Sequence, residues 1–217
     1  MSRPLLITDC DEVLLHMVSH FRDWLGEAHG VDFDLSEGDY SRAVRHRETG
    51  EPLPREETWP LLNGFFETEM YRQTLVPHAR EALTELAGIA DVVVLTNLLD
   101  THQERRIAQL EAVGIQHRVL CNQGGKGTPV AQLLDEYAPS ATVFVDDLAL
   151  HHLSVEKAAP QVFRLHMVAE LELAAIMPPA PAAHARIDDW AEATGWIRER
   201  LTSGLDARTM PMIGEVL

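Results

Sequence analysis

The sequence predicts an α/β fold, in which a doubly wound parallel sheet carries an inserted, small α-helical cap domain. Three features lead to this prediction: short apolar runs rich in β-branched residues, helical patterns between the later runs, and an overlong first connection. The chain has 217 residues, which is enough for one well-cored domain with a small insertion.

Five short apolar runs are the predicted strands. Several of them are continuous rather than alternating, which is typical of strands that are buried on both faces of a parallel sheet. In chain order they cover residues 5–7, 92–95, 118–120, 142–145 and 162–165.

Helical periodicity separates the later strands. Residues 79–87 and 101–113 place apolar side chains three or four positions apart, and Gly114 ends the second pattern. Residues 129–137 predict a third helix, with Pro129 near its start. Strands and helices that alternate in this way favour an α/β fold with right-handed crossovers.

The first crossover contains far more residues than the single helix that a βαβ unit needs. Two apolar stripes at helical spacing, in residues 18–25 and 59–70, flank a loop rich in charge and proline at residues 39–57. We therefore predict a helical cap at residues 16–75 and an α/β core at residues 1–15 and 76–217.

The C-terminal part begins with a spacer rich in proline and alanine at residues 178–183. Asp188 is the predicted N-cap of a helix that ends near Leu201. Residues 203–217 are predicted to form a loose tail.

Composition and charge limit the classes of partner. The 18 Lys and Arg and the 34 Asp and Glu give a formal net charge of −16, which disfavours nucleic acid and anionic membrane surfaces. The two cysteines form no CxxC pattern, and no apolar stretch reaches the length of a membrane span. We expect a cytoplasmic monomer or homodimer whose partner is a small molecule.

The first predicted strand ends in Asp9-Cys10-Asp11. Two carboxylates two residues apart on an extended chain point to the same side, and Cys10 points away from them. At the carboxyl end of a parallel strand they face the crevice in which α/β proteins bind ligands. Like charges this close are costly without a cation, and Mg²⁺ is a hard metal ion that suits them.

Polar groups also follow the other central strands. Thr96-Asn97 ends the second strand, Lys126 lies in a glycine-rich loop after the third, and Asp146-Asp147 ends the fourth. An open parallel sheet would gather all of these side chains into one crevice. Carboxylates, a hydroxyl, an amide and an ammonium group together suit metal-assisted phosphoryl transfer.

The motifs, taken in this order, resemble those of the haloacid dehalogenase (HAD) superfamily. The resemblance is mainly to phosphatase-like members, which have a Rossmann-like core and a helical cap inserted after the first motif. It covers about residues 5–166, and residues 77–83 are similar to the segment before the second motif of that superfamily. Each motif is common by itself, whereas the set in order at strand ends is specific.

The resemblance implies a catalytic role for five residues. Asp9 would attack phosphorus and carry an aspartyl phosphate. Asp11 would act first as general acid toward the leaving group and then as general base toward water. Thr96 and Asn97 would hold the phosphoryl oxygens, and Lys126 would neutralise both Asp9 and the transferring group.

The resemblance also implies Mg²⁺ as the cofactor. Its ligands would be Asp9, the backbone carbonyl of Asp11, and the pair Asp146 and Asp147, with Asp147 expected to bind the ion directly. The implied activity is the hydrolysis of a small phosphorylated metabolite, a phosphomonoester.

Some positions depart from the superfamily pattern. Glu12 and Val13 stand where Gly and Thr are usual, and Lys126 is followed by Gly127-Thr128 before the proline. The alternatives are a phosphomutase with the same motifs, a 2-haloacid dehalogenase-like hydrolase, and a non-catalytic binding relative. A dehalogenase would need neither Mg²⁺ nor a second aspartate, so the presence of Asp11 and of the pair Asp146-Asp147 argues against that alternative.

The predicted cap contains a cluster of basic residues at 42–47. If residues 41–47 form a helix, Arg42 and Arg45 share one face. One interpretation is a solvated patch that balances nearby glutamates. The other is that Arg45 and Arg47 bind a second anionic group of the substrate, such as a carboxylate, which predicts a small phosphorylated acid.

His16 and His20 are four residues apart on a predicted helix, a spacing that can bind zinc. No HExxH pattern accompanies them. We interpret both as ordinary residues of the cap.

Overall fold

The computed structural model describes residues 2–35 and 42–216 of the chain. Its strands, numbered along the chain, are β1 (Leu5–Thr8), β2 (Leu15–His16), β3 (Val31–Phe33), β4 (Val44–His46), β5 (Thr74–Leu75), β6 (Asp91–Asn97), β7 (Arg118–Asn122), β8 (Thr142–Asp146), β9 (Phe163–His166) and β10 (Ala185–Arg186). Its α-helices are α1 (Val18–Trp24), α2 (Arg55–Thr68), α3 (Ala79–Leu86), α4 (Gln103–Ala112), α5 (Gly127–Tyr137), α6 (Ala149–Ala158), α7 (Leu171–Ile176), α8 (Trp190–Thr202) and α9 (Ile213–Val216).

The central sheet is parallel and six-stranded, in the spatial order β10-β9-β8-β1-β6-β7. Strand β1 lies between β6 and β8, and its four side chains are fully buried. Burial on both faces explains why the predicted strands are continuous apolar runs. The predicted α/β fold with a parallel sheet is confirmed.

Helices cover both faces of this sheet. Ile7 of β1 packs in a cluster with Val130 of α5, while its neighbour Leu6 packs in another cluster with Leu83 of α3 and Trp190 of α8. Successive side chains of a strand point to opposite faces, so β1 contributes to both apolar layers. Each buried side chain of this kind stabilises the fold by roughly 1.5–3 kcal/mol relative to an exposed one.

The predicted strands and the core helices are present. Predicted helices 79–87, 101–113 and 129–137 are confirmed as α3, α4 and α5. A short 3₁₀ turn, Asp100–His102, precedes α4 and delays its start. The edge strand β10 was not predicted, because two residues are too few to form an apolar run. Within the described ranges, no helix is long and apolar enough to cross a membrane.

The N-cap of α8 is Asp189, not the predicted Asp188. The Asp189 side chain accepts a hydrogen bond from the Glu192 backbone N–H at 3.1 Å, which satisfies a free donor of the first turn. Asp188 instead accepts from the Val168 backbone N–H at 2.9 Å and pairs with Arg186 at 2.9 Å. One aspartate thus caps α8 while its neighbour binds Val168 and Arg186. Sequence spacing alone cannot tell which of the two is the cap.

The segment between β1 and β6 contains strands as well as helices. Helix α1 continues into a π-helical turn, Leu25–His29, after which β3 and β4 form an antiparallel hairpin. Helix α2 follows, and the chain returns through β5, which pairs with β2 at the base of the segment. Phe21 of α1 and Phe65 of α2 make an edge-to-face contact with ring centroids 5.4 Å apart, so the two helices share an aromatic core.

The condition under which Arg42 and Arg45 would share a helical face is not met. Residue 41 lies outside the described ranges, and Val44–His46 is strand β4, in which Val44 pairs with Phe33 and is buried. A β-branched residue opposite an aromatic one favours a strand. Arg42 and Arg45 therefore do not share a helical face.

The predicted loose tail also differs from the structure, which describes this segment up to residue 216. The Ala207 carbonyl lies 3.1 Å from Nε2 of His184, and the Ile213 backbone N–H donates to the Ala183 carbonyl at 2.8 Å. Ala207 itself is buried. These contacts join residues far apart in the chain, so local composition does not reveal them.

Candidate active site

The sheet gathers the predicted acidic and basic residues at one edge. Asp9 follows β1, Asp146 ends β8, and Lys126 directly precedes α5. The Lys126 Nζ atom lies 2.7 Å from Asp9 Oδ1 and 2.7 Å from Asp146 Oδ2, and all three side chains are buried. One ammonium group therefore bridges two carboxylates in the interior.

The loop that carries Lys126 is held against helix α6. A Cβ atom on Gly127 would lie 2.2 Å from the Ser154 carbonyl oxygen, so only glycine fits at this position. The Gly127 backbone N–H also donates to Ser154 Oγ at 2.9 Å. This close contact fixes the backbone next to Lys126 and with it the direction of the buried side chain.

Burial and neighbouring charges shift the acid–base properties of this group. Burial raises the pKa of Asp9 to about 7, although Lys126 acts in the opposite direction. Burial also opposes ionisation of Asp146, but the Lys126 ammonium outweighs it and lowers the pKa of Asp146. In turn, burial disfavours the charged form of Lys126, yet the two carboxylates outweigh it and raise its pKa.

Asp147 completes an acidic cluster that suits a divalent metal ion. Oxygen atoms of Asp9, Asp146 and Asp147 lie within 4.8 Å of one another, and all three residues are buried. Burial, followed by the charges of Asp146 and Asp9, raises the pKa of Asp147 well above its ordinary value. When all three carboxylates are ionised, one ammonium group leaves an excess of negative charge, and an all-oxygen donor set matches a hard divalent cation.

Asp11 is held by a different set of donors. Arg106 Nη2 lies 2.9 Å from Oδ1 and 3.1 Å from Oδ2, Gln73 Nε2 donates to Oδ1 at 2.6 Å, and the Thr96 hydroxyl lies 3.5 Å from Oδ2. Each of these contacts places a hydrogen-bond donor on an oxygen of the Asp11 carboxyl group.

Arg106 was not identified from the sequence. It lies on α4, is fully buried, and also donates through Nη1 to Cys10 Sγ at 2.9 Å. A signal was present, since Arg106 stands four residues before Leu110 on the apolar face of a predicted helix. An arginine at such a position needs a buried anion, and Asp11 is that anion.

Thr96 and Asn97 end β6 at the same edge of the sheet. Thr96 is buried, whereas the Asn97 side chain donates to the Gly124 carbonyl at 2.9 Å and accepts from Asn122 Nδ2 at 2.8 Å. Asn97 thus connects the loops after β6 and β7. Contact of Thr96 and Asn97 with phosphoryl oxygens stays a prediction.

A cavity of about 450 Å³ lies between α2 and the loops at this edge of the sheet. Asn97 forms part of its wall on the side of the sheet, and Arg55 and Trp59 form part of it on the side of α2. The Arg55 guanidinium lies over the Trp59 ring, 5.3 Å from its centroid. The sequence gives no signal for Arg55, because nothing in its local pattern indicates that α2 faces this edge of the sheet.

The two predicted substrate arginines make contacts inside the inserted segment. Arg47 Nε pairs with Asp32 Oδ1 at 2.9 Å, and Arg45 Nη1 donates to the Gly50 carbonyl at 3.2 Å. Their role toward a substrate anion stays a prediction.

Glu12, which departs from the superfamily pattern, has a local structural task. Its Oε1 atom accepts backbone N–H groups from Met17 at 2.7 Å and Val18 at 2.6 Å, at the start of α1. Burial raises the pKa of Glu12 to about 7. Its φ of 60° lies in the left-handed region, which explains why glycine would suit this position.

Comparison with known proteins gives structural likenesses only. No family model and no curated protein matches the sequence. A Burkholderia xenovorans protein assigned as a haloacid dehalogenase-like hydrolase superposes with a TM-score of 0.60 at 18% identity, over 93% of this chain and 99% of that chain.

Two further solved structures extend this likeness. A Bacillus subtilis protein assigned as a HAD hydrolase and bound to magnesium has a TM-score of 0.62 at 13% identity, over 91% of this chain and 99% of that chain. A Thermotoga maritima protein assigned as a β-phosphoglucomutase has a TM-score of 0.59 at 16% identity, over 90% of this chain and 99% of that chain. The chain therefore has the fold of the HAD superfamily, as the motifs predicted.

Proposed function

We propose that this protein is a Mg²⁺-dependent phosphomonoester hydrolase that forms an aspartyl phosphate on Asp9. The observation that carries the proposal is the buried bridge from Asp9 through Lys126 to Asp146, with Asp147 beside it. These residues follow the motif order of the HAD superfamily, and the chain has the fold of hydrolases assigned to it.

Asp9 is oriented for attack by its own hydrogen bonds. Its Oδ1 atom accepts from Lys126 Nζ at 2.7 Å and from the Cys10 backbone N–H at 2.7 Å. Both contacts engage one oxygen, so Oδ2 is the atom that we assign to attack on phosphorus. Lys126 lowers the cost of bringing an anionic phosphoryl group to an anionic nucleophile.

Mg²⁺ would be held by Asp9, Asp147 and the backbone carbonyl of Asp11. Asp146 already accepts from Lys126 through Oδ2 and from the Leu148 backbone N–H through Oδ1, which supports Asp147 as the more direct ligand of the pair. When bound, the ion would neutralise the excess carboxylate charge and stabilise the charge of the transferring group.

The contacts of Asp11 restrict the leaving group. Asp11, held between Arg106 and Gln73, can accept a proton from water when the aspartyl phosphate is hydrolysed. To give a proton to a leaving alkoxide it must first acquire one against these donors. We infer that esters whose leaving groups are stable anions, such as aryl phosphates, react faster than alkyl phosphates.

The cavity between α2 and the sheet edge has the volume for a small metabolite. Arg55 on its wall can meet a second anionic group, a task for which guanidinium is well suited. The proposed substrate is therefore a small phosphorylated metabolite with an additional negative charge, as sequence analysis suggested from other arginines.

A panel of phosphate esters, assayed with Mg²⁺ and with excess chelator, tests the proposal. We expect release of inorganic phosphate that requires Mg²⁺ and is absent from the Asp9→Asn variant. Isomerisation of a sugar phosphate without phosphate release would support a phosphomutase instead. Failure to turn over any ester, with metal binding intact, would support a binding relative, and activity in chelator would contradict the metal requirement.

A further inference from the structure

A second group of possible metal ligands lies at the base of the inserted segment. Glu12 follows the first motif, His16 belongs to β2, and Glu170 precedes α7. One ligand atom from each of the three lies within 4.8 Å of the others, and His16 Nδ1 is 3.5 Å from Glu170 Oε2. The sequence predicts a helix that contains both His16 and His20, whereas α1 begins only at Val18.

The buried Glu12 carboxylate lacks a partner on one of its oxygens. Glu12 is only 2% exposed, and its Oε1 atom is occupied by the backbone N–H groups of Met17 and Val18. Among the described residues, Oε2 has no hydrogen-bond partner. An unsatisfied carboxylate oxygen in the interior is costly, so a ligand at this position would stabilise the fold.

His16, like Glu12, has a ligand atom without a partner. Its Nδ1 atom is buried, and in the part of the chain that the structure describes it forms no hydrogen bond. Its distance to Glu170 exceeds that of a strong hydrogen bond but leaves room for an ion between the two groups. Glu12 and His16, two members of one cluster, thus each carry an unsatisfied ligand atom.

The donor set indicates which ion would bind. Two carboxylates and one imidazole nitrogen suit a divalent first-row transition metal, whereas the all-oxygen cluster of Asp9, Asp146 and Asp147 suits Mg²⁺. We propose that Glu12, His16 and Glu170 form a second metal site that takes a divalent transition-metal ion such as Zn²⁺ or Co²⁺.

The site is accessible and lies between structural units. The side chains of His16 and Glu170 are 19% and 22% exposed, and Glu170 also lines a cavity of about 200 Å³. Since β2 pairs with β5 where the inserted segment leaves and rejoins the core, an ion here would connect the base of that segment to the core. This inference does not depend on the proposed phosphatase activity.

Cobalt binding tests the site directly. Metal-free protein is titrated with Co²⁺ by calorimetry and by visible absorption, which reports the ligand field of the ion. We expect two equivalents in the wild type and one in Glu170→Gln and His16→Asn, with the affinity of the second ion lowered by at least about 10- to 100-fold. Asp147→Asn should lose the other equivalent and keep the one bound by His16.

Two further variants control for folding and for charge. Glu12→Gln keeps an amide oxygen that can accept from Met17 and Val18, so it should fold and still lose the second equivalent. Glu172→Gln removes a nearby exposed carboxylate and should bind as the wild type does. Co²⁺ binding that is unchanged in both Glu170→Gln and His16→Asn, whatever the number of equivalents in the wild type, would overturn the site and leave a simple contact between His16 and Glu170.

Discussion

The two aspartates of the first motif are neighbours on one loop, yet they are neutralised in different ways. Asp9 shares the Lys126 ammonium with Asp146, whereas Asp11 receives two contacts from Arg106 and one from Gln73. Lys126 therefore serves two carboxylates and Arg106 only one.

This difference distinguishes the cluster around Asp9, which needs a further cation to balance its charge, from Asp11, which does not. Burial raises the pKa of Asp9 to about 7, and Asp147 beside it is raised well above its ordinary value. A bound divalent ion would favour the ionised form of both Asp9 and Asp147, because a nearby cation stabilises a charged carboxylate. Asp11 already has buried cationic and amide donors, so its contacts are complete without the ion.

The largest expected effect comes from removing the nucleophile. Asp9→Asn keeps the shape of the side chain and its contact with Lys126, but it lacks the attacking oxygen anion. Turnover should fall at least about a thousandfold, because the asparagine amide cannot replace the carboxylate as the proposed nucleophile. Steady-state assay of purified protein measures this, and residual activity within tenfold of wild type would sink the aspartyl-phosphate mechanism.

Removing the cation that pairs with Asp11 should lower the stability of the fold. Arg106→Met leaves the partly buried Asp11 carboxylate without its cation, and we expect a loss of about 3–5 kcal/mol in the free energy of unfolding. Chemical denaturation at neutral pH measures it. Arg105→Met, an exposed neighbour on the same helix, is the matched control and should cost about 1 kcal/mol or less. Equal losses in the two variants would show that Asp11 does not depend on Arg106.

The two acidic residues after β8 should differ in their effect on metal dependence. Asp147→Ala should raise the Mg²⁺ concentration for half-maximal activity by about tenfold or more, because it removes the proposed direct ligand. Asp146→Ala should change this concentration less and lower turnover more, since its main partner is Lys126. A larger Mg²⁺ requirement in Asp146→Ala than in Asp147→Ala would reverse the assignment.

The last effect concerns the arginine that is proposed to meet a second anion of the substrate. Lys126 and Arg106 are committed to carboxylates, so the cavity needs another cation, and Arg55 lines it. Arg55→Ala should reduce kcat/KM for a phosphorylated acid by roughly 10- to 100-fold, the equivalent of about 1.5–3 kcal/mol, with less effect on phenyl phosphate.

Arg45→Ala and Arg47→Ala are the matched comparisons for that prediction. A selective loss in either of them, with Arg55→Ala unaffected, would favour the substrate contact that sequence analysis proposed. Equal losses on the acid and on phenyl phosphate in all three variants would remove any role in recognising a second anion.

Much of the core could be predicted because its signals are local. A continuous apolar run followed by an acidic residue defines both a buried strand and its functional end, as for β1 with Asp9 and β8 with Asp146. The parallel sheet then brings these ends together without further information.

The partners of the motif residues could not be predicted, because their contacts span long stretches of chain. Arg106 reaches Asp11 across 95 positions and Gln73 reaches it across 62. The hairpin of β3 and β4 was not predicted either. Charged residues between Val44 and Leu53 hide the alternation of apolar and polar side chains that indicates a short strand. Tertiary pairing outweighed local composition in each of these places.

The covalent state of Asp9 during turnover is the most direct test of the account. Protein mixed with Mg²⁺ and an aryl phosphate is quenched in acid, reduced with borohydride to convert a phosphorylated aspartate to homoserine, and digested for peptide mass spectrometry. We predict homoserine at position 9, and none there in Asp9→Asn or in samples without Mg²⁺. Unmodified Asp9 in a sample that is turning over substrate, or a modification at Asp11 instead, would contradict the proposed mechanism.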